Sequence, residues 1–265
     1  MVRDPPRLRA GIWSRGPYHR PSGHRMIETT FPRGFALRIR PWLGIAAAAS
    51  FAVASVMALA WAPTDAVQGD VYRIMYVHVP AAWLAYLAFV VVFLASVGWL
   101  WSKRPWFDAV AVASAEIGVL FTGLALVAGS IWAKPTWGVW WTWEPRLVTT
   151  AVMFVMYVGY LLLRSLSTDF DRRATRAAIL GVILVLDVPI VHLSVLWANS
   201  LHQLPTVLRA GGSPALDGAM LLTLMVSVAA FTLVYLYFMS ARVAIELSRR
   251  MTIWGAAGAQ PPRLP

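Results

Sequence analysis

The sequence predicts an all-α integral membrane protein, with six transmembrane helices packed in one bundle. Of its 265 residues, 59% are hydrophobic and only 13% are charged, a balance that excludes an ordinary soluble domain. The apolar residues fall into six segments, each close to the ~20 residues that span a lipid bilayer. The connections between them alternate between rich and poor in Lys and Arg, as expected of a chain that crosses a membrane repeatedly.

The six apolar segments follow one another with short polar connections. They cover residues 42–61, 80–101, 109–131, 147–163, 178–197 and 218–240. The fourth is the shortest and lies at the lower limit for a span. Pro189 lies inside the fifth and is expected to kink that helix. A helical bundle follows, since only backbone whose polar groups are satisfied can span lipid.

The distribution of basic residues predicts the orientation of the helices. The N-terminal tail, the connections 102–108 and 164–177 and the residues after the sixth segment hold 9, 2, 4 and 4 Lys and Arg. The connections 62–79, 132–146 and 198–217 hold only 4 of the 23. By the positive-inside rule both termini are cytoplasmic and these three connections face outward. The net charge of +11 is therefore explained by the basic residues that orient the helices in the membrane, and nucleic acid is not expected as a partner.

Polar segments frame the membrane domain at both ends. Residues 1–40 hold nine Arg and several Pro without an apolar run, so we expect a disordered cytoplasmic tail and no signal peptide. Met26 is a plausible true start. Residues 41–242 form the predicted six-span domain, and residues 243–265 form a second cytoplasmic tail. The chain has no Cys, which excludes disulfides, Cys-ligated metals and covalently attached haem.

The stretch from Trp132 to Arg146, W-A-K-P-T-W-G-V-W-W-T-W-E-P-R, is the most distinctive part of the sequence. It holds five of the 14 Trp and lies in the second outward connection. One interpretation is an interfacial belt of indoles. The other is a platform for a flat aromatic ligand, favoured because a short amphipathic helix would carry four residues on one face, at i, i+3, i+4 and i+7. Those residues are Trp137, Trp140, Trp141 and Glu144.

Pro145 predicts where this stretch ends and the next helix begins. Proline disfavours helical backbone in the residue before it and suits the first turn of a helix. Glu144 is therefore expected at or next to the N-cap of the fourth span. Its charge suits a helix N-terminus, although Glu is not among the good N-cap residues.

Two histidines are predicted to lie on the same face of the membrane as the Trp stretch. His78 heads the second span, and His202 lies in the third outward connection. Two imidazoles beside an aromatic platform suit a planar macrocycle whose iron is ligated from both sides. Arg146 and Lys134 could pair with the carboxylates of a haem, and interfacial anchoring is the competing interpretation.

Three further polar residues lie within the apolar segments. Glu116 and Asp187 are ionisable groups in apolar surroundings, for which a proton path and structural hydrogen bonds are the alternatives. One residue in each of two helices favours structural hydrogen bonds. His192 is interpreted as helix packing or polar lining.

Three motifs resemble the CcmC family, the haem exporter protein C of cytochrome c maturation. They are M-Y-V-H-V-P-A-A-W (Met75 to Trp83), G-S-I-W-A-K-P-T-W-G-V-W-W-T-W-E-P-R-L (Gly129 to Leu147) and P-I-V-H-L-S-V-L-W-A-N-S-L-H-Q (Pro189 to Gln203). The resemblance covers roughly residues 69–203 and the number of spans. Its pattern W-G-x-W-W-x-W is specific.

The resemblance implies a non-enzymatic subunit of an ABC-type complex that handles haem. Family members hold haem b transiently on the periplasmic face of the bacterial inner membrane and pass it to the membrane-anchored chaperone CcmE. They associate with the ATP-binding subunit CcmA and with CcmB and CcmD. The resemblance assigns His78 and His202 as axial ligands of the haem iron. It assigns the haem platform to Trp137, Trp140, Trp141 and Trp143, next to Glu144 and Arg146.

The chain departs from the family pattern at three positions. The family usually has Asp where this chain has Glu144, a non-Pro residue at Pro145, and often a Trp at Ala198. Glu144 keeps the charge, moves it by one methylene and is expected to lose the cap. These differences bear on fine geometry rather than on the role.

Three other functions fit parts of the sequence. A b-type cytochrome with a permanent bis-histidine haem would be ligated from within the bundle, whereas these histidines lie at the outer ends of spans. A haem lyase of the larger Trp-rich relatives would have more spans and additional His. A small-solute permease would need only the aromatic belt, and an absorption spectrum with added haem separates it from the others.

Overall fold

The computed structural model of the protein describes residues 33–167, 169–197, 200–202 and 216–256. The helices in these ranges are α1 (Arg33–Val56), α2 (Met75–Ser102), α3 (Pro105–Trp137), α4 (Pro145–Ser165), α5 (Phe170–Leu184), α6 (Asp187–Trp197) and α7 (Gly218–Ala256). A π-helical turn, Met57–Trp61, extends α1, and a 3₁₀ turn, Asp70–Ile74, leads into α2. Together these elements form an all-α fold.

Six stretches of helix are long and apolar enough to cross a membrane, which confirms the predicted number of spans. The protein is therefore a multi-pass membrane protein. The helices extend beyond the apolar segments of the sequence, because a helix continues past the hydrocarbon layer into polar residues. The fourth stretch, for example, has 21 residues, Pro145–Ser165.

The fifth span is broken into α5 and α6, which confirms the predicted kink. The break falls at Val185 and Leu186, between the end of α5 and the start of α6. A proline ring clashes with the carbonyl four residues before it and cannot donate to that carbonyl. Pro189 stands in this relation to Val185, so the helix cannot continue smoothly through this point.

Helix extends into both predicted tails. Helix α1 begins at Arg33, inside the segment 1–40 that the sequence assigns to a disordered tail. The Arg, Ala and Leu residues there are good helix formers and join the first turns of the span. Helix α7 continues to Ala256, so residues 243–256 of the C-terminal tail prolong the sixth span. Residues 1–32, which include Met26, and residues 257–265 lie outside the described part of the chain.

Helix α2 lies at the centre of the bundle, in contact with α3, α5 and α7. Glycine allows α2 and α3 to approach closely, since a Cβ atom at Gly118 would lie 2.5 Å from Cε1 of Phe89. The ring of Phe89 stacks on Tyr157 of α4, with centroids 3.5 Å apart. This packed centre is the frame that supports the site at one end of the bundle.

Two carboxylates inside the bundle, Glu116 and Asp108, are paired with Arg side chains, whereas one oxygen of a third, Asp187, is not. Glu116 accepts two hydrogen bonds from Arg242 of α7, at 2.6 and 2.7 Å, which confirms a structural role. At the end of the bundle opposite to the Trp stretch, Asp108 accepts from Arg164 at 2.6 and 2.8 Å. The buried Oδ2 of Asp187 has no hydrogen-bond partner among the described residues, so the hydrogen bond expected for that oxygen is not found.

Candidate functional site

At one end of the bundle, residues of α2, α3 and α4 meet the connections that follow α1 and α6 around an open cleft. The cleft has a cavity volume of about 120 Å³ and is partly open to solvent. Its lining includes Gln68, His78, Trp132, Trp137, Leu147 and His202. We call it the histidine cleft.

His78 lines the histidine cleft from the start of α2. Its Nδ1 lies 3.0 Å from the main-chain oxygen of Ala125 on α3. A carbonyl only accepts hydrogen bonds, so Nδ1 carries the proton and Nε2 keeps a free lone pair. Gly129, one turn further along α3, provides the space for the ring, since a Cβ atom there would lie 2.9 Å from His78 Cε1.

Trp132 supports His78 from the side. The indole is edge-on to the imidazole, with centroids 5.8 Å apart. Its N–H donates to Oε1 of Gln68 at 2.7 Å, and Tyr72 packs edge-on against its ring at 5.6 Å. Trp132 therefore connects α3 to the chain between α1 and α2 and acts as a structural wall of the cleft.

His202 reaches the histidine cleft from the segment 200–202. Its main-chain N–H donates to the hydroxyl of Ser200 at 3.1 Å. Its Nδ1 lies 3.3 Å from Nη1 of Arg146. A guanidinium only donates hydrogen bonds, so this Nδ1 is the acceptor. His202 is thus held by the side chains of Arg146 in α4 and Ser200 in its own segment, whereas His78 is held within a helix.

The two imidazoles lie close together in the histidine cleft. Their ring centroids are 6.4 Å apart, and their planes are inclined by 37°. Imidazole nitrogens bind metals such as zinc at about 2.0–2.1 Å, and the ring centre lies about 1 Å further away, so two imidazoles on opposite sides of one ion have centroids about 6 Å apart. The observed spacing suits such a pair. It also confirms that His78, His202 and the Trp stretch lie on the same side of the bundle.

The Trp stretch does not form the predicted short amphipathic helix. Helix α3 continues through Trp137 and ends at Gly138, whose φ of 80° is the left-handed conformation that glycine tolerates. Lys134 donates to the oxygen of Gly138 at 2.9 Å and supports this end of α3. Residues 138–144 are not helical, because the glycine stop outweighs the helical spacing of the indoles. The predicted face of Trp137, Trp140, Trp141 and Glu144 is therefore wrong.

The four indoles of the predicted platform do not share one surface. Trp137 lines the histidine cleft. Trp141 and Trp143 lie edge to face with centroids 6.0 Å apart, and line a separate apolar groove of about 280 Å³ along α4. Trp140 and Trp143 are 58% and 85% exposed. One indole is therefore beside the histidines, and three lie in the loop between α3 and α4.

Glu144 is the N-cap of α4, as Pro145 predicts, and its side chain makes the cap. Its Oε1 accepts from the main-chain N–H of Leu147 at 2.8 Å. The expectation that Glu would lose the cap is wrong, because the longer side chain still reaches the third residue of the helix. Its Oε2 accepts a hydrogen bond from the hydroxyl of Ser200. Ser200 was not predicted as a site residue, since it lies 56 positions from Glu144 in the sequence.

Arg146 connects the histidine cleft to α6. Its Nη1 contacts His202, and its Nη2 donates to the main-chain oxygen of His192 at 2.9 Å. Its Nε is buried and has no hydrogen-bond partner in the described part of the chain. The exposed ring of His192 packs edge-on against Tyr86, 6.2 Å between centroids, which confirms its interpretation as a packing residue.

Comparison with known proteins identifies relatives along most of the chain. A family model described as Heme exporter protein C matches residues 24–255. The chain is 40% identical over 228 residues to Heme exporter protein C of Bradyrhizobium diazoefficiens, covering 85% of this chain and 86% of the relative. It is 41% identical over 177 residues to the protein of the same name from Escherichia coli K12, covering 66% of this chain and 72% of the relative. A putative cytochrome c biosynthesis ccmC-like mitochondrial protein of Marchantia polymorpha is 39% identical over 162 residues, 61% of this chain and 68% of the relative.

Proposed function

The chain belongs to the Heme exporter protein C family, and from this premise we propose that it holds haem b between His78 and His202 and passes it to the chaperone CcmE. As a member of this family it is a haem-handling membrane subunit rather than an enzyme. Haem is its cargo and is bound transiently. The residues of the histidine cleft are suited to this cargo in three respects.

The observation that carries the proposal is the pair of imidazoles. The porphyrin of a haem supplies four ligands to iron and leaves one position on each side of its plane. The 6.4 Å between the ring centroids suits two imidazoles at those positions. His78 carries its proton on Nδ1, against the oxygen of Ala125, which leaves Nε2 available as a ligand.

Arg146 is suited to a carboxylate of the haem. Guanidinium groups bind carboxylates through fixed, parallel N–H groups, and the buried Nε of Arg146 has no partner among the described residues. A carboxylate at the mouth of the histidine cleft would satisfy it. This contact would also orient the macrocycle relative to His202, which Arg146 touches.

The indoles supply apolar contact area. In the histidine cleft, Trp137 would contact the macrocycle. Trp140, Trp141 and Trp143 would extend the aromatic surface outward. Glu144 holds the two chain segments around the cleft. An exposed aromatic surface next to the ligands suits a cargo that must be reached by a second protein.

The proposed orientation follows the positive-inside rule. Both termini would be cytoplasmic, and the histidine cleft would face the periplasm from the bacterial inner membrane. Haem would leave from this face to CcmE, while CcmA, CcmB and CcmD complete the complex. Ligands at the ends of spans suit such a transfer, because the cargo leaves without crossing the bundle.

Absorption spectra of the purified full-length protein with added haem test the two ligands. His78→Ala and His202→Ala should each shift the spectrum away from the bis-imidazole type while haem is retained, because the indoles still contact it. Added imidazole should partly restore the spectrum, since it replaces only a ligand atom. His192→Ala is the matched control, because Arg146 donates to the main-chain oxygen of that residue, which the substitution leaves in place. A changed spectrum in the control with unchanged spectra in the other two variants would refute the assignment.

Transfer to apo-CcmE separates the proposed function from a b-type cytochrome with a permanent haem. Haem-loaded protein is mixed with the apo-chaperone, and the haem spectrum of each protein is followed after separation. A haem carrier should lose its haem to CcmE. Haem that stays on this chain through repeated reduction and oxidation would instead favour the cytochrome.

A further inference from the structure

Glu144 and His202 are connected through the hydroxyl group of Ser200. This hydroxyl donates to Oε2 of Glu144 and accepts from the main-chain N–H of His202 at 3.1 Å. It can do both at once, because a hydroxyl has one proton and two lone pairs. The other carboxylate oxygen of Glu144 accepts from the N–H of Leu147 at 2.8 Å. A continuous chain of hydrogen bonds therefore runs from the first turn of α4 to the backbone of His202.

The anchor of this chain is a buried charge. Glu144 is only 7% exposed, and its position at the N-cap sets the carboxylate against the partial positive charge of the α4 N-terminus. Hydrogen bonds to an ionised group are stronger than neutral ones, and low dielectric surroundings strengthen them further. The carboxylate is thus a fixed point to which Ser200 can be held.

The backbone of His202 needs such a fixed point. The segment 200–202 is not helical, so it lacks the regular hydrogen bonds that fix His78 in α2. Arg146 contacts the imidazole of His202, whereas Ser200 contacts the main chain from which the imidazole extends. A displacement of about 1 Å is enough to disturb a reacting geometry, and a metal bond is as demanding.

We propose that Ser200 is a positioning residue for haem ligation, whose hydroxyl transmits the fixed position of Glu144 to His202. This role rests on the proposed function, in which His202 ligates the haem iron. Glu144 acts through Ser200 and does not itself touch the haem. The carboxylate of Glu144 would therefore have two roles. It caps α4, and through Ser200 it holds the iron ligand His202.

The experiment uses the full-length protein purified with haem, and the readout is the ratio of six-coordinate to five-coordinate haem from absorption and electron paramagnetic resonance spectra. Ser200→Ala should lower this ratio about tenfold, the equivalent of one hydrogen bond to a charged group. Ser200→Thr keeps the hydroxyl and should keep the wild-type ratio. Ser194→Ala is the matched control, because that hydroxyl bonds within α6, to the oxygen of Val191 at 2.8 Å.

Coupling to Glu144 provides a second readout. Glu144→Gln keeps an oxygen for the cap of α4 but removes the charge that holds Ser200, so the ratio should fall. Ser200→Ala should lower the ratio less in the Glu144→Gln background than in wild type, because both changes break one chain. Fully additive effects would show that the two residues act separately and would overturn the proposal.

The outcomes distinguish this role from the proposed function. A wild-type ratio in Ser200→Ala, where His202→Ala loses the six-coordinate form, overturns the positioning role and leaves the ligand assignment intact. A wild-type ratio in His202→Ala refutes the ligand assignment, and the role of Ser200 with it. If Ser200→Ala does not accumulate, Glu144→Gln decides: a lowered ratio supports the proposal and an unchanged ratio overturns it.

Discussion

At Gly129 the lack of a side chain decides whether His78 can occupy its position. A Cβ atom would lie 2.9 Å from Cε1 and 3.3 Å from Nδ1 of the imidazole. The ring cannot move away freely, because Nδ1 donates to the oxygen of Ala125. We expect Gly129→Ala to weaken haem binding by about 1 kcal/mol, the value of one lost hydrogen bond, or roughly fivefold in the dissociation constant measured by haem titration.

Gly159→Ala in α4 is the control for this prediction. A Cβ atom at Gly159 has nothing within 4 Å among the described residues, and Ala is a better helix former than Gly. This variant should bind haem like the wild type. The same haem affinity in both variants would mean that the imidazole of His78 shifts without cost, contrary to the expectation.

The residues that could be predicted from the sequence are those governed by a local rule. Pro145 locates the N-cap of α4 at Glu144, and the charge distribution puts His78 and His202 on one face. Ser200 and Gly129 act on residues that are distant in the sequence, so no local pattern identifies them. Average N-cap preferences do not predict the cap that Glu144 makes, because they do not describe one long side chain that also binds Ser200.

The helices illustrate which structural signals are local. Hydropathy predicts six spans, and Pro189 predicts the break in the fifth, because both depend on neighbouring residues only. The predicted Trp helix failed at Gly138, where a residue in the left-handed conformation ends α3. Helical spacing of side chains on both sides of a glycine is therefore weak evidence that one helix carries them.

The separation of Trp137 from the other three indoles predicts that the four contribute unequally to haem binding. Trp137 lines the histidine cleft, whereas Trp143 is 85% exposed in the loop between α3 and α4. Trp137→Ala should lower the haem-to-protein ratio after purification about two- to tenfold, as expected for an aromatic contact of ~0.5–1.5 kcal/mol. Trp143→Ala should have a smaller effect. Equal losses would indicate that the four indoles bind haem as one surface.

The orientation of the whole molecule can be tested with single Cys residues, since the chain has none. Val139 is exposed in the loop after α3, and Ser102 is exposed at the far end of α2. From the positive-inside rule, a membrane-impermeant thiol reagent should label Val139→Cys in cells with a permeable outer membrane. Ser102→Cys should react only after the inner membrane is opened. The opposite labelling pattern would place the histidine cleft on the cytoplasmic side.

The packing of the helices against one another could not be predicted from this single sequence. Which helices touch depends on pairs such as Arg164 with Asp108 and Arg242 with Glu116, which are 56 and 126 positions apart. Charge counting nevertheless groups the connections correctly, because topology is a property of the chain as a whole. The sequence therefore predicts which end of the molecule carries the site. The structure is needed to show which residues line the site and how they contact one another.

His78 and His202 are held by supports of unequal stiffness. His78 lies in α2 and is hydrogen-bonded to α3, whereas His202 lies in a short non-helical segment tied by side chains. Segments of the second kind open more often than packed helices. If haem is bound by both histidines, as proposed, the bond to His202 would be expected to break more often than the bond to His78. The rate at which haem leaves would then be set by His202. Haem would be released from that side of the cleft even in the absence of an acceptor protein.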